Sequence, residues 1–431
     1  MTATSGPSRY PATANDVATH VARAFGQHME LGCRLVFDEQ LDPEVLRRAV
    51  RLSLDAEPVL GCALRTGVFK VWWERLGDLD AALPFSVDST LDPDRDAVAC
   101  LTAQIDSTGP QVAVHLLQTE AGDEVIVSMS HDAADGQGVK QYVYLLADLY
   151  SRLLDDPEYV PAPPRIARPS AADVWNALGP SQRERANHTP PMTMPNWKIP
   201  STAITGQGRT LQELRLLPER FRAVKEYGIA RGASINALML TAFFRAVARS
   251  YPPPAGRAMS LPFTADHRRY LQARSDVPIT NLAISLWLGV PFIDGEAFDD
   301  TLERVSAQLD VWREVLWGVK SLVQATGMVR LGYTPMRLLM GMVSAMSAKS
   351  GMTSPVFTNI GILDDERLGF GGQVPVSARL SGPAAFGASL VPTISTYRDE
   401  LTVSMGFCGA DMDAASVEKV LRDMDAELAL R

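Results

Sequence analysis

Residues 124–138 read Glu-Val-Ile-Val-Ser-Met-Ser-His-Asp-Ala-Ala-Asp-Gly-Gln-Gly, and the fold turns on how this stretch divides. Its first six residues are largely apolar and rich in β-branched side chains, which predicts a buried strand over 124–129. Downstream, Val139, Tyr142, Val143, Leu146, Leu149, Tyr150 and Leu153 fall on one face at helical spacing, which predicts a helix over 138–154. Between them, residues 131–136 form a short polar turn at the end of a buried strand, where α/β folds expose reactive groups. Imidazole as a free group titrates near neutrality, and a neutral histidine in such a turn is a fit acceptor for a proton. It can take a proton from a hydroxyl or amine attacking a carbonyl, an effect worth about 10²–10⁴-fold, so His131 is the candidate general base. Asp135 is a carboxylate that can hold the turn by pairing with a cation, and Gly136 supplies a backbone free of Cβ constraints.

Working outward, residues 33–37 predict a strand, and a helix opens after Asp42 with Pro43 at its first position. Further strands are expected over 68–73 and 112–117. From 155 to about 208 the text turns to Pro, Ser, Asn and Thr, with Pro161, Pro163, Pro164, Pro190, Pro191, Pro195 and Pro200, and reads as a crossing segment. Beyond it come a strand over 211–217, a helix begun by Pro218, and an apolar helix over 234–250 capped by Ser234 and stopped by Pro252-Pro253-Pro254. Strands over 258–262 and 284–290, helices over 298–317 and 335–349, and a hairpin within 391–407 complete the series. The class is α/β. A chain of 431 residues exceeds the size at which one core stops growing. Two lobes are therefore expected: 1–160 carrying the His131 turn, 161–208 crossing over, and 209–431.

The formal net charge of -9, with no Lys/Arg-rich run, argues against nucleic acid as a partner. No apolar run reaches membrane-spanning length, and residues 1–27 lack the apolar core of an export signal, so a cytoplasmic protein is expected; a monomer is the separate expectation for its assembly. Cys33, Cys62, Cys100 and Cys408 are too scattered for zinc or a disulfide framework. The histidines besides His131 (His20, His28, His115, His188 and His267) are equally dispersed, so no metal site is expected. Ser130 lacks the Gly-x-Ser-x-Gly elbow of a nucleophile, and Gly369-Phe370-Gly371-Gly372 fits neither phosphate-binding glycine pattern. Methionines crowd residues 328–352 (Met328, Met336, Met340, Met342, Met346 and Met352), where most are expected to fill core.

His131-Asp132-Ala133-Ala134-Asp135-Gly136 resembles the HxxxDG signature of the superfamily that includes chloramphenicol acetyltransferase, peptide-synthetase condensation domains, plant-type acyltransferases, alcohol acetyltransferases and polyketide-associated acyltransferases. Asp266-His267-Arg268-Arg269 looks like the Asp-x-Arg-Arg stretch of alcohol-acetyltransferase-like members, and Thr280-Asn281-Leu282 resembles the Gly-Asn-Leu that follows it. Phe357-Thr358-Asn359-Ile360-Gly361 resembles the Asn-x-Gly strand near the family's channel. Two departures stand out. Ser130 replaces the first histidine of the condensation-domain HHxxxDG, and the Asp-Phe-Gly-Trp-Gly box of plant-type members is missing.

The resemblance implies two similar chloramphenicol-acetyltransferase-like lobes, mixed sheets flanked by helices, with the active site in the inter-lobe channel. It implies Arg268, with Arg269 next, as the partner of Asp135, and Gly136 as structural at the site. Ser130, Thr358 and Asn359 become substrate or oxyanion candidates. The implied reaction moves an acyl group from a coenzyme A or acyl-phosphopantetheine thioester, the latter on an acyl or peptidyl carrier protein, to a small-molecule alcohol or amine, with no bound cofactor. Non-acyl chemistry such as cyclisation or isomerisation, or a noncatalytic interaction platform, stays open.

Overall fold

The computed structural model describes residues 8–25, 29–162, 168–203, 205–272, 277–329, 332–384, 387 and 389–429. Of the residues named above, His28, Pro163, Pro164 and the Met328 side chain lie outside the described residues.

In chain order the first half runs β1 (Arg9–Pro11), α1 (Ala14–Arg23), β2 (Glu30–Val36), α2 (Pro43–Ala56), β3 (Cys62–Thr66), β4 (Val71–Arg75), β5 (Phe85–Ser89), α3 (Pro93–Thr102), β6 (Val112–Thr119), β7 (Gly122–Ser130) and α4 (Gly136–Asp155). Two short helices, α5 (Ala171–Ala177) and α6 (Pro180–Ala186), lie within the proline-rich segment. The second half continues β8 (Arg209–Leu216), α7 (Pro218–Ala230), α8 (Ile235–Ser250), β9 (Ala258–Asp266), β10 (Ala283–Pro291), α9 (Phe298–Glu314), α10 (Val319–Val329), α11 (Tyr333–Ser350), β11 (Thr358–Ile362), β12 (Ser377–Ser381), β13 (Pro392–Tyr397), β14 (Glu400–Cys408) and α12 (Ala414–Glu427).

Two mixed sheets organise these elements. The first has the order β12-β2-β7-β6-β5, the second β11-β13-β14-β8. The antiparallel pair β9–β10 joins the second through backbone bonds from Phe357 N to Pro262 O and from Thr264 N to Phe357 O. A small sheet, β1-β4-β3, flanks the first. Each main sheet has its own apolar core, one around Leu35, Val125, Val127 and Tyr142, the other around Phe243, Leu261, Val403 and Met405. Strand β12 crosses between them. It belongs to the second half of the sequence yet pairs antiparallel with β2, Leu380 opposite Cys33, so the halves are stitched together rather than merely abutting.

Local rules explain most elements. Asp42 caps α2 through Glu44 N and Val45 N ahead of Pro43, and Ser234 caps α8 through Ala237 N. Strand β7 is buried along all nine residues, with the polar Asp123, Glu124, Ser128 and Ser130 enclosed beside its apolar Val125, Ile126, Val127 and Met129. Three expectations need correction. The helix expected over 298–317 stops at Glu314, because Leu316 and Trp317 take left-handed φ values of 54° and 52°. The strand expected over 68–73 begins only at Val71; Gly67 N bonds Lys70 O, which makes 67–70 a turn with Val68 and Phe69 at its tip. Finally, Met336 is buried as expected, but Met342 and Met346 are 60% and 72% exposed, since α11 packs only its other face inward. All four cysteines are free, and no helix among the described residues is long and apolar enough to cross a membrane.

Candidate active site

Strand β7 ends at Ser130 and α4 begins at Gly136, so residues 131–135 form the connection between the central strand and the longest helix of the first lobe. The connection is anchored at both ends. His131 N donates to Met29 O, and Ala133 N and Ala134 N both donate to Ser130 O. Asp135 is the N-cap of α4: its Oδ1 accepts from Gly138 N at 3.1 Å, which meets one of the unpaired amides that open every helix.

The other oxygen of Asp135 faces the second half. Oδ2 accepts from an Arg268 guanidinium NH at 2.7 Å and from Leu282 N at 2.7 Å. Both side chains are buried, 2% and 5% exposed. Arg268 also reaches Asp266 Oδ1 at 3.1 Å and Thr280 O at 2.5 Å. Burial pushes the Asp135 carboxyl up, but the Arg268 charge and the two backbone N–H donors pull harder, and the net position is below the ordinary carboxylate range. Asp135 is thus turned toward Arg268. Arg269 stacks instead over Trp317 and donates its Nε to Asp266 O.

His131 lines a cavity of about 340 Å³ walled by both halves. Met29, Leu31, Val356, Ile360 and Val391 make it largely apolar, and Thr358, Asn359, Thr264 and Ser285 add hydroxyl and amide groups. The Asn281 amide nitrogen lies 3.1 Å from His131 O and 3.3 Å from Nδ1, so it holds both the backbone and the ring plane. Asn359 is partly committed: its Oδ1 accepts from Gly361 N, closing the bulge where Gly361 takes a φ of +87°. Gly136 is not left-handed; it opens α4, and its requirement is space. A Cβ there would lie 2.7–3.2 Å from the Ile360 side chain, so glycine lets the helix start seat against β11.

Ser130 is not among the residues that line the cavity. Its hydroxyl is fully buried, accepting from Arg23 at 2.9 Å and from Asp132 N at 3.3 Å. His267 is likewise buried, its ring nitrogens against Leu282 O and Trp317 O.

A second buried polar cluster escaped the sequence reading. Behind the turn, Asp132 meets His20 Nδ1 at 2.9 Å and Arg23 Nε at 3.3 Å. Arg168 pairs with Asp16 at 2.6 Å and donates to Ala133 O at 2.6 Å and Ile279 O at 2.9 Å. The turn is therefore gripped by Arg268 on one side and by Arg23 and Arg168 on the other. A second cavity, about 520 Å³, shares Gln137 and Asp266 with the first and is lined by Lys140, Arg268, Arg269 and Arg367. Among the described residues no group of three or more His, Cys, Asp or Glu side chains is placed to hold a metal ion.

Compared by sequence, no family model matches the chain, and no curated protein matches it either. Solved structures do match. The first condensation domain of the CDA synthetase aligns with 98% of this chain and 96% of its own at a TM-score of 0.69 and 16% identity. The chain has the condensation-domain fold. A trichothecene 15-O-acetyltransferase from Fusarium sporotrichioides shares this fold (TM-score 0.68, 14% identity, 99% and 96% of the two chains), as does the epimerization domain from the third module of tyrocidine synthetase B (0.64, 14%, 98% and 96%).

Proposed function

We propose that this condensation-domain-like protein is an acyltransferase that moves an acyl group from a thioester to an alcohol or amine, with His131 as general base. The observation that carries the reading is the division of labour at the turn. Asp135 is tied to Arg268 and the α4 N-terminus, while His131 presents its imidazole on the wall of a cavity shared by both halves.

In the proposed reaction His131 takes the proton from the acceptor O–H or N–H as that atom attacks the thioester carbonyl. The tetrahedral intermediate collapses with cleavage of the C–S bond, and the imidazolium returns its proton to the leaving thiolate. Thr358, Asn359 and the N–H groups that open α4 are the candidates to receive the oxyanion. The apolar wall suits an aliphatic or aromatic acyl group. The adjoining cavity with Lys140, Arg269 and Arg367 suits the phosphate groups of coenzyme A or of a carrier protein's phosphopantetheine arm. Non-acyl chemistry at the same histidine is the second reading, kept because an epimerization domain has this fold.

The test is mass spectrometry of the purified protein with panels of acyl-coenzyme A and acyl-carrier donors and candidate alcohols and amines. A product larger than the acceptor by one acyl group, falling about 10²-fold or more in His131→Ala, is the expected result. A His131→Ala protein that folds and turns over normally refutes the role of His131, and an acceptor returned with unchanged mass but altered configuration favours the second reading.

A further inference from the structure

The second half carries a run unlike the rest of the chain. From Val315 to Leu363 there is no Asp or Glu, in a protein that has 50 of them and a net charge of -9, and the charged residues in the run are Lys320, Arg330, Arg337 and Lys349. Helix α11 lies within it. Its residues Leu338, Met342 and Met346 recur every four positions and are 67%, 60% and 72% exposed, with Leu339 and Val343 on the shoulder of the same face. Arg337 and Lys349 are exposed near the ends of that stripe.

A second element extends the patch. The 67–70 turn, with Val68 and Phe69 60% and 72% exposed, touches the start of α11, where Thr334 N donates to Val68 O. Lys70 sits on the same turn, and a groove of about 610 Å³ lined by Tyr10, Phe69, Val71 and Val329 runs in beside it. Helices α1 and α10, on which α11 packs, hold one carboxylate between them, Asp16, and it is buried against Arg168.

We propose that the exposed face of α11 and the Val68–Phe69 tip together form a docking surface for an anionic lipid bilayer. An apolar stripe flanked by cations, on a helix too polar to span, is the chemistry of an element that lies in the headgroup region. Unbranched methionines adapt to a fluid acyl environment, and the missing carboxylates remove the groups an anionic surface would repel. A second copy of the chain fits less well, because self-association would bring Arg337 and Lys349 against their own counterparts or leave them unpaired. The docking surface stands whatever reaction His131 performs.

The experiment is flotation of the full-length protein with vesicles of phosphatidylcholine alone or with one-third phosphatidylglycerol, together with light scattering. Wild type should float with the anionic vesicles and do so less at high salt. Met342→Gln/Met346→Gln and Arg337→Glu/Lys349→Glu, all at exposed positions, should each lower binding roughly tenfold or more while retaining the wild-type melting curve. Wild type that ignores both vesicles overturns the proposal, as does undiminished binding by the variants. So would a wild-type dimer that Met342→Gln/Met346→Gln dissociates, or an acidic carrier protein whose binding depends on these residues when vesicles do not bind.

Discussion

Replacing Asp135 by alanine should destabilise the protein more than any other single change in the His131 turn, for reasons that can be counted. Arg268 would keep its contact with Asp266 Oδ1 at 3.1 Å but lose its 2.7 Å partner in a site where it is 5% exposed. Leaving one member of a buried pair behind typically costs about 3–5 kcal/mol. Two further losses follow, because Leu282 N and Gly138 N both donate to this carboxylate, and loss of an N-cap alone costs about 0.5–2 kcal/mol. Asp135→Ala should therefore lose about 4–6 kcal/mol. Arg268→Ala should lose about 3–4 kcal/mol, since Asp135 would still accept from two backbone amides. In the double variant neither charge is stranded, and the total should fall short of the sum by about 1–3 kcal/mol. The carboxyl is held below its ordinary range, so its contribution is complete above about pH 4 and is lost as pH falls through the lowered value. The cycle is accordingly run by denaturant unfolding at neutral pH. Additivity within about 0.5 kcal/mol would refute direct coupling, and a wild-type-like Asp135→Ala would refute the whole energetic account.

Gly136→Ala should cost about 1–3 kcal/mol by driving a Cβ into Ile360, and Ile360→Ala in the same chain should recover part of it; calorimetric melting of the two variants checks this. Glu57, whose carboxylate accepts from Ile279 N, is pushed up to about 7 by burial, against the opposing Ile279 N–H and Arg168. Its folded-state value lies above its unfolded one, so the native state holds the proton more tightly, and stability is lost as pH rises from about 4.5 to about 7, by up to about 3 kcal/mol. Glu57→Gln should match wild type near pH 5 and exceed it at pH 8, and a difference independent of pH refutes the assignment. Arg367→Glu should raise KM for a phosphate-bearing thioester donor about tenfold with kcat little changed, while a fall in kcat at constant KM would remove the second cavity from donor binding.

Much of the first lobe was legible because its signals are local. Strand β7 and helix α4 differ in period, and the change falls at 131–135, which by itself located the turn and its imidazole. Helix starts at Asp42 and Ser234 were readable because the cap is a neighbour of what it caps. Pairing Asp135 with Arg268, 133 residues away, was supplied by family resemblance; spacing alone could not have given it.

What only the tertiary structure decided involves groups brought together from distant parts of the chain. Arg168 leaves a proline-rich segment to grip Ala133 O and Asp16, and Asp132, read simply as part of the motif, turns inward to His20 and Arg23. Ser130 sits beside the base in sequence, yet its hydroxyl is taken up by Arg23 and by Asp132 N at the point where the strand gives way to the turn. Gly136 is small for the sake of Ile360 from the other half, a reason no local rule contains. Methionine spacing in α11 reads the same whether its apolar face is covered or bare; only the packing of the fold left Met342 and Met346 in the open. Periodicity and capping act within a few residues and are written in the sequence, whereas burial and charge pairing depend on which distant segments the fold makes neighbours.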